Sequence, residues 1–152
     1  MTIGQDMTMH IAYQEICDGE DPWVALGDFA NDFFDYQSDH RADLVRDSLQ
    51  LPEAMTEEEQ KWAIFCAASV EYLCRYYSLP CPKWVSAPEY AGVGDPWFFS
   101  PMAATKPQVR ERYERETPEE FRRRNIYCGR GERIYTHKRL AHEQATSYKR
   151  TA

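Results

Sequence analysis

Side chains able to bind a metal ion are the first candidates for chemistry in this 152-residue sequence. Zinc sites are built from thiolates and imidazoles at short, regular spacings. The sequence has no Cys-x2-Cys pair, and His137 lies five residues before His142, whereas a spacing of four aligns two ligands on one helical face. We therefore predict no metal site and no cofactor, although six residues are soft potential ligands: Cys66, Cys74, Cys81, Cys128, His137 and His142.

The sequence also lacks the short motifs that carry nucleophilic or phosphate chemistry. It contains no GxSxG nucleophile elbow, no GxGxxG and no GxxxxGK[ST], so Gly129-Arg130-Gly131 indicates a turn and not a phosphate loop. His40 lies three residues before Asp43, but isolated histidines near carboxylates often arise by chance. These observations favour a non-enzymatic protein and leave a small enzyme with an unrecognised site as an alternative.

Charge is divided unevenly along the chain, whose formal net charge is −7. Residues 1–60 contain fifteen Asp and Glu but only two Arg, a net charge of −13, whereas residues 61–152 carry a net charge of +6. Such a division predicts either a charged partner or packing of the two halves against each other.

Four aspartates of the acidic half are candidate partner-binding residues. Asp21 and Pro22 indicate a helix start, because a carboxylate at the N-cap and a proline at the first helical position both favour one. We expect a helix over residues 22–37 whose apolar side consists of Trp23, Leu26, Gly27, Ala30, Phe33 and Phe34. The opposite side carries aspartates at spacings of four, three and four residues: Asp28, Asp32, Asp35 and Asp39. They predict an acidic face for a basic partner, and a solvated helix face is the alternative.

Three arginines are candidates for contact with phosphate or with an acidic partner. Arg122, Arg123 and Arg124 are consecutive, so on a helix their side chains point in three directions. We expect one or two of them to pair with carboxylates of the N-terminal half and the remainder to be exposed. Further basic residues follow towards the C-terminus, and a nucleic-acid-binding protein that uses this basic segment is therefore an alternative.

The strongest helix signal is Thr56 followed by three glutamates, which is a capping box. The helix predicted over residues 57–78 has apolar residues on more than one side, so we expect it at the centre of the fold. Its predicted core residues are Trp62, Phe65, Val70 and Leu73. Weaker signals predict helices over residues 11–16, 38–49 and 107–116 and from residue 117, a short strand or hairpin over 125–135, and a helical arm or loose basic tail over 137–152.

Residues 79–106 form a long connection that is rich in proline and aromatic residues and has no sustained period. The aromatic rings indicate that this connection is wrapped onto the core. Trp84, Trp97 and Phe98 are its candidate partner-binding residues, because tryptophans beside a proline turn can receive a peptide. Covering the core is the role that the pattern favours for the tryptophans.

Length and composition predict a single domain over residues 1–152, because 43% of the residues are hydrophobic and twenty-one are aromatic. The five cysteines are odd in number and scattered, which is typical of reduced thiols in a cytoplasm. The polar N-terminus lacks an apolar signal region, and no apolar run approaches the roughly 18 residues of a membrane span. We therefore expect a cytoplasmic protein without a membrane partner.

Three segments carry a family resemblance: Leu79-Pro80-Cys81-Pro82-Lys83-Trp84-Val85, then Asp95-Pro96-Trp97-Phe98, and finally residues 117–127, TPEEFRRRNIY. In this order they resemble a family of small, largely uncharacterised bacterial proteins that are often encoded in toxin–antitoxin-like operons. Some of these proteins are fused to a helix-turn-helix or encoded beside a nucleotidyltransferase-like partner. The resemblance covers roughly residues 56–127. It implies an antitoxin-like or accessory role and supplies no catalytic residue.

Together these observations predict a mainly α-helical protein, built as a small bundle around the helix at 57–78 and covered by the aromatic connection. The predicted function is that of a non-enzymatic cytoplasmic protein-binding module. It would neutralise a basic partner, such as a toxin or a nucleotidyltransferase-like protein, by covering that partner's active site or groove.

Overall fold

The computed structural model describes residues 6–130. This part of the chain is mainly α-helical, which confirms the predicted fold class. It contains six α-helices and a pair of two-residue strands: α1 (Met9–Cys17), α2 (Pro22–Asn31), α3 (Arg41–Arg46), α4 (Glu57–Tyr76), α5 (Pro107–Glu116), α6 (Glu119–Arg122), β1 (Trp97–Phe98) and β2 (Ile126–Tyr127). Among the helices of residues 6–130, none combines the length and the apolar character that a membrane span requires.

Helix α4 lies at the centre of the fold, as its sequence predicts. The capping box is formed, since the Thr56 hydroxyl accepts from the Glu59 N–H (3.1 Å) and the Glu59 carboxylate accepts from the Thr56 N–H (2.8 Å). Every residue from 62 to 70 is buried, because α1, α6 and two 3-10 turns pack around the helix. The prediction that Trp62, Phe65, Val70 and Leu73 belong to the core is confirmed.

Helices α1 and α2 pack together across a short turn. Gly19 adopts a φ of 104°, which a residue with a Cβ rarely adopts, and its N–H donates to the Ile16 carbonyl to end α1. The Asp21 carboxylate then accepts from the N–H of Trp23 (2.8 Å) and begins α2, as predicted. The turn therefore brings the end of α1 beside α2.

The helix predicted over residues 22–37 is present over residues 22–36, but its last part is not α-helical. The α-helix ends at Asn31 and continues as a π-helical turn (Asp32–Tyr36), and a 3-10 turn (Ser38–His40) precedes α3. Arg41 donates to the carbonyls of Phe33 (2.9 Å) and Phe34 (3.4 Å) at this end, so it binds backbone groups that a wider turn leaves accessible. Helix α3 is also shorter than the predicted helix over 38–49.

Residues 79–106 wrap onto the core in the irregular form that the sequence predicts, with 3-10 turns at Lys83–Ser86, Pro88–Tyr90 and Pro101–Ala104. The sequence predicts a short strand or a hairpin over 125–135, and a short strand is found at Ile126–Tyr127, where it pairs in parallel with Trp97–Phe98. Residues 131–135 of that hairpin, and the basic tail predicted over 137–152, lie outside the described residues. The backbone N–H groups of Val93, Trp97 and Phe99 all donate to residues 124–127, which extends this contact beyond the strands.

Candidate functional site

The four predicted acidic residues do not form one straight stripe. Asp28 is exposed on α2, whereas Asp35 lies in the π-helical turn and Asp39 in the separate 3-10 turn. Asp32 is half-buried, and its carboxylate accepts a hydrogen bond from the backbone N–H of Met7 (2.7 Å). Asp32 therefore ties the N-terminal segment to the end of α2, and the other three aspartates are available at the surface.

Glu15, which the helical spacing did not indicate, lies close enough to Asp28 and to two further carboxylates to be affected by their charges. Burial raises the pKa of Glu15 above its ordinary value, and the charges of Asp28, Glu20 and Asp18 raise it further. These side chains come from the end of α1, from the following turn and from α2. The signal that could have found them is the short turn between two helices, because it places the residues around Gly19 beside the first turns of α2.

The ion pairs show that the acidic and basic halves do not neutralise each other within residues 6–130. Lys61 and Glu58, in successive turns of α4, form the one pair that joins the halves, with Nζ and Oε1 3.9 Å apart. Arg46 pairs with aspartates of its own half, and Arg41 binds backbone carbonyls. The remaining ion pairs join basic residues beyond residue 60 to acidic residues that also lie beyond residue 60.

Arg124 is a buried structural residue, and 3% of its surface is exposed. Its Nη1 donates to the Glu71 carboxylate (2.8 Å) and to the Glu120 carbonyl (2.8 Å). Nη2 donates to the Val85 carbonyl (2.9 Å), and Nε donates to the Tyr90 carbonyl (2.9 Å). The guanidinium thus joins α4, α6 and the aromatic connection.

The other two arginines of the run are exposed. Arg123 also binds the Glu71 carboxylate, and Arg122 makes a longer contact with the Glu114 carbonyl (3.4 Å). The predicted division of roles is confirmed, but the prediction that the carboxylate comes from the N-terminal half is wrong, because α6 packs on α4 and meets Glu71 there. Glu71 is the single charged residue between Trp62 and Cys74, and that isolated charge was a signal for a buried partner.

Arg75 and the buried Glu120 form a second ion pair beside this group, with Nε and Oε2 2.5 Å apart. Burial by itself raises the pKa of Glu120. The hydrogen bonds from Arg75 and from backbone N–H outweigh burial, so that the pKa of this carboxyl lies below its ordinary value. The region around α6 is therefore stabilised by paired charges.

Both the indole N–H and the ring of Trp84 are bound within the protein. Its indole N–H donates to the Val45 carbonyl (3.1 Å), and its ring packs edge-on against Tyr90, with centroids 5.4 Å apart. A tryptophan whose N–H is used inside the protein has no polar group left for a partner. This geometry favours the core-covering role for Trp84.

Trp97 and Phe98 line an open cleft of about 320 Å³ together with Trp23, Trp62 and Phe99. Two charged residues, Glu58 and Lys61, complete its lining, and we call this site the aromatic cleft. The ring of Phe98 stacks on Tyr127 (4.5 Å between centroids). Trp23, which the sequence assigned only to the apolar side of its helix, is 38% exposed and forms one edge of the cleft.

Within residues 6–130, no group of three or more His, Cys, Asp and Glu side chains is arranged to hold a metal ion. Comparison of the chain with protein-family models, with curated proteins and with solved structures finds no match. The family resemblance of the three sequence segments therefore remains a prediction.

Proposed function

We propose that this protein is a non-enzymatic protein-binding module that neutralises a basic partner by covering its surface, in the manner of an antitoxin. The observation that carries the proposal is the distribution of ion pairs. Apart from Glu58, the carboxylates of the first sixty residues form no ion pair with the basic residues of 61–130, and the exposed Asp28, Asp35 and Asp39 therefore offer their charge to an external partner.

A negative surface of this kind acts mainly on the rate of association. Complementary charges steer two proteins towards each other, and this steering weakens as salt screens the charges. Asp28, Asp35 and Asp39 are exposed members of the acidic half, and we assign them to the partner-binding face. Asp32 is left out of this face because it binds the Met7 backbone.

The nucleic-acid alternative has less support from the arginines that suggested it. Arg124 is buried and has donors directed at four acceptors, and Arg123 shares the Glu71 carboxylate with it. Phosphate contacts require accessible cations. Within residues 6–130, Arg122 is the arginine of the run that binds no carboxylate, so it is the one left for such a contact.

The test begins with identification of the partner, by cross-linking in the native host, co-purification and mass spectrometry. Association of the purified pair is then measured over a salt series for the triple variant Asp28→Lys, Asp35→Lys and Asp39→Lys. We expect the association rate constant at low salt to fall at least roughly tenfold, with a smaller effect on dissociation.

The matched control is Glu111→Lys, which reverses an exposed charge on α5 outside the acidic half. This variant should associate as the wild type does. Equal association rates for the triple variant and the wild type at every salt concentration would refute the proposal, and so would co-purification of nucleic acid without a basic protein.

A further inference from the structure

We propose that the aromatic cleft binds one arginine side chain of the basic partner and thereby anchors it. The proposal rests on the proposed function, because the arginine belongs to the partner that the acidic half attracts. It adds a specific contact to a general attraction, and it makes the cleft the place where the complex is held once it has formed.

The rings of the cleft are arranged at right angles. Trp62 is perpendicular to Trp23, with centroids 5.4 Å apart, and it is also perpendicular to Trp97, with centroids 5.1 Å apart. Phe99 adds a further ring, 5.8 Å from Trp23 and 5.0 Å from Trp97. Rings at these distances pack edge against face, so the ring surface left for a cation is the part that remains open to the cleft, of which the partly exposed Trp23 offers the most.

A cation of the chain itself already lies at this site. The Lys61 ammonium is 5.0 Å from the centroid of the Trp97 ring and 3.9 Å from the Glu58 carboxylate. The Glu58 side chain is 73% exposed, so its pairing with Lys61 is an easily replaced surface contact. Lys61 therefore marks where a positive charge is favoured, and it competes with any cation that arrives from outside.

Arginine suits the cleft better than a second lysine. A planar guanidinium can lie on the exposed tryptophan ring and at the same time donate to a carboxylate through its fork of N–H groups. Trp23 offers the partly exposed ring, and Glu58 offers the carboxylate. An ammonium would meet the same partners through a single point charge, which Lys61 already supplies.

A second cleft with acidic side chains lies beside the aromatic cleft and also favours basic residues. An adjoining cleft of about 340 Å³ shares Lys61 and Trp97 with the first and carries the exposed carboxylates of Glu57 and Asp95. A peptide that inserts its arginine in the aromatic cleft can therefore place a neighbouring basic residue beside these two carboxylates. The complementary partner segment contains an arginine flanked by other cations.

The first experiment uses a defined probe, the capped peptide acetyl-Gly-Arg-Gly-amide, and its citrulline counterpart, which has nearly the same shape but no charge. Binding is followed by the NMR signals of the tryptophan indole N–H groups. We expect the arginine peptide to shift the signals of Trp23, Trp62 and Trp97 and to leave that of Trp84 unchanged, because its N–H is bonded inside the fold. Equal shifts with both peptides, or no shift at the three cleft tryptophans, would overturn the proposal.

The second experiment uses two variants of exposed or partly exposed side chains, because Trp23→Ala would also remove packing against Phe65 and Phe99. Glu58→Gln should weaken binding of the arginine peptide roughly tenfold, since it removes a charge-assisted contact. Lys61→Gln should strengthen binding severalfold, because it removes the competing cation. An unchanged or weaker affinity for Lys61→Gln contradicts the inference, and Glu111→Gln is the matched control that should behave as the wild type.

The two proposals fail in different ways in the assay with the isolated partner. If the Asp28, Asp35 and Asp39 variant slows association while Glu58→Gln leaves dissociation unchanged, the cleft proposal is wrong and the proposed function stands. If the arginine peptide binds in the cleft but the acidic variant associates normally, the proposed function is wrong and the cation site stands.

Discussion

The guanidinium of Arg124 donates to Glu71 on α4, to the backbone of α6 and to two carbonyls of the aromatic connection. Burying such a charge is costly, and the cost is offset only while all of its partners are present. Loss of the side chain would leave Glu71 with its exposed partner Arg123 alone and would leave the Val85 and Tyr90 carbonyls without this donor. The contribution of Arg124 is thus the joining of three parts of the chain that are distant in sequence.

We predict that Arg124→Ala destabilises the protein by about 3–5 kcal/mol, because it leaves buried polar groups uncompensated. Arg122→Ala should change the free energy of unfolding by less than about 0.5 kcal/mol, since its side chain is exposed. Both values are measured by urea denaturation. Similar losses for the two variants would contradict the division of roles within the run.

The cysteines provide a second prediction about individual residues. Burial raises the pKa of Cys66 and of Cys128 well above the ordinary range and that of Cys74 to about 12. Partial burial also raises the pKa of Cys81, but Cys81 is the exposed cysteine of residues 6–130 and the reagent can reach it. The thiolate is the reactive form, so iodoacetamide at neutral pH should modify Cys81 and spare Cys66 and Cys128 until the protein unfolds. Peptide mapping by mass spectrometry measures the order, and early modification of Cys66 would show that α4 is accessible.

Some site residues were visible in the sequence and others were not, for identifiable physical reasons. The lone charge of Glu71 in an apolar helix indicates a buried partner, but the identity of that partner depends on how α6 docks. Glu15 becomes a neighbour of Asp28 only because α1 folds back on α2. Trp23 is both a core residue and a surface residue, and a helical pattern assigns a residue to one side only.

At the scale of elements, α4 is the helix whose position follows most directly from its sequence. The capping box fixes its first turn, and its two apolar rows require neighbours on more than one side. Its C-terminal boundary was predicted two residues late. Ser78 adopts a φ of 56°, and the Leu79 N–H turns back to the Cys74 carbonyl (2.8 Å), so the chain leaves the helix before the first proline is reached.

We predict that Leu73→Ala destabilises the fold by about 2–5 kcal/mol, because Leu73 is fully buried in α4 and its removal leaves a cavity. The exposed Tyr76 on the last turn of the same helix provides the control, and Tyr76→Ala should have a much smaller effect. The free energies of unfolding of the two variants are compared by chemical denaturation. An effect of Leu73→Ala no larger than that of Tyr76→Ala would remove α4 from the centre of the core.

The burial of Phe29 and the π-helical turn after α2 are two features of this helix that the sequence did not predict. The expected apolar side followed the period of an α-helix and omitted Phe29, which is fully buried and stacks on Phe33 (5.5 Å between centroids). Side-chain spacing alone cannot distinguish an α-helix from one that widens in its last turn. The contacts of Arg41 with this turn arise from tertiary structure.

At the scale of the whole molecule, the division of charge was evident from composition, but its meaning was not. Two oppositely charged halves that pair with each other have the same charge composition as two that do not. The choice between them depends on which side chains meet. Within residues 6–130 the ion pairs of the second half's basic residues, apart from that of Lys61 with Glu58, are made with carboxylates of the same half.

Stability should fall in alkaline solution. Burial raises the pKa of Cys74 to about 12 and of Tyr90 to about 12, whereas the unfolded chain ionises these groups near their ordinary values of about 8.5 and about 10. Their contribution is therefore fully present below about pH 8.5 and is lost progressively as the pH rises towards 12. Thermal unfolding followed by circular dichroism from pH 7 to 11 measures this loss.

Cys74→Ala provides the control for alkaline stability. It removes one of the groups that ionise on unfolding, so its midpoint temperature should fall less steeply with pH than that of the wild type, even though it starts lower. A parallel decline of the two proteins would assign the alkaline loss to other groups.

The parallel pairing of β1 with β2 has a consequence for the order in which the protein is made. Trp97, a wall of the aromatic cleft, donates its backbone N–H to the carbonyl of Asn125, and β2 follows directly at Ile126. During synthesis the tryptophan leaves the ribosome almost thirty residues before the strand that holds it. A nascent chain therefore exposes its acidic half first and completes the cleft late. Under the proposed function, attraction of a basic partner would begin during translation, and its anchoring would await residues 126 and 127.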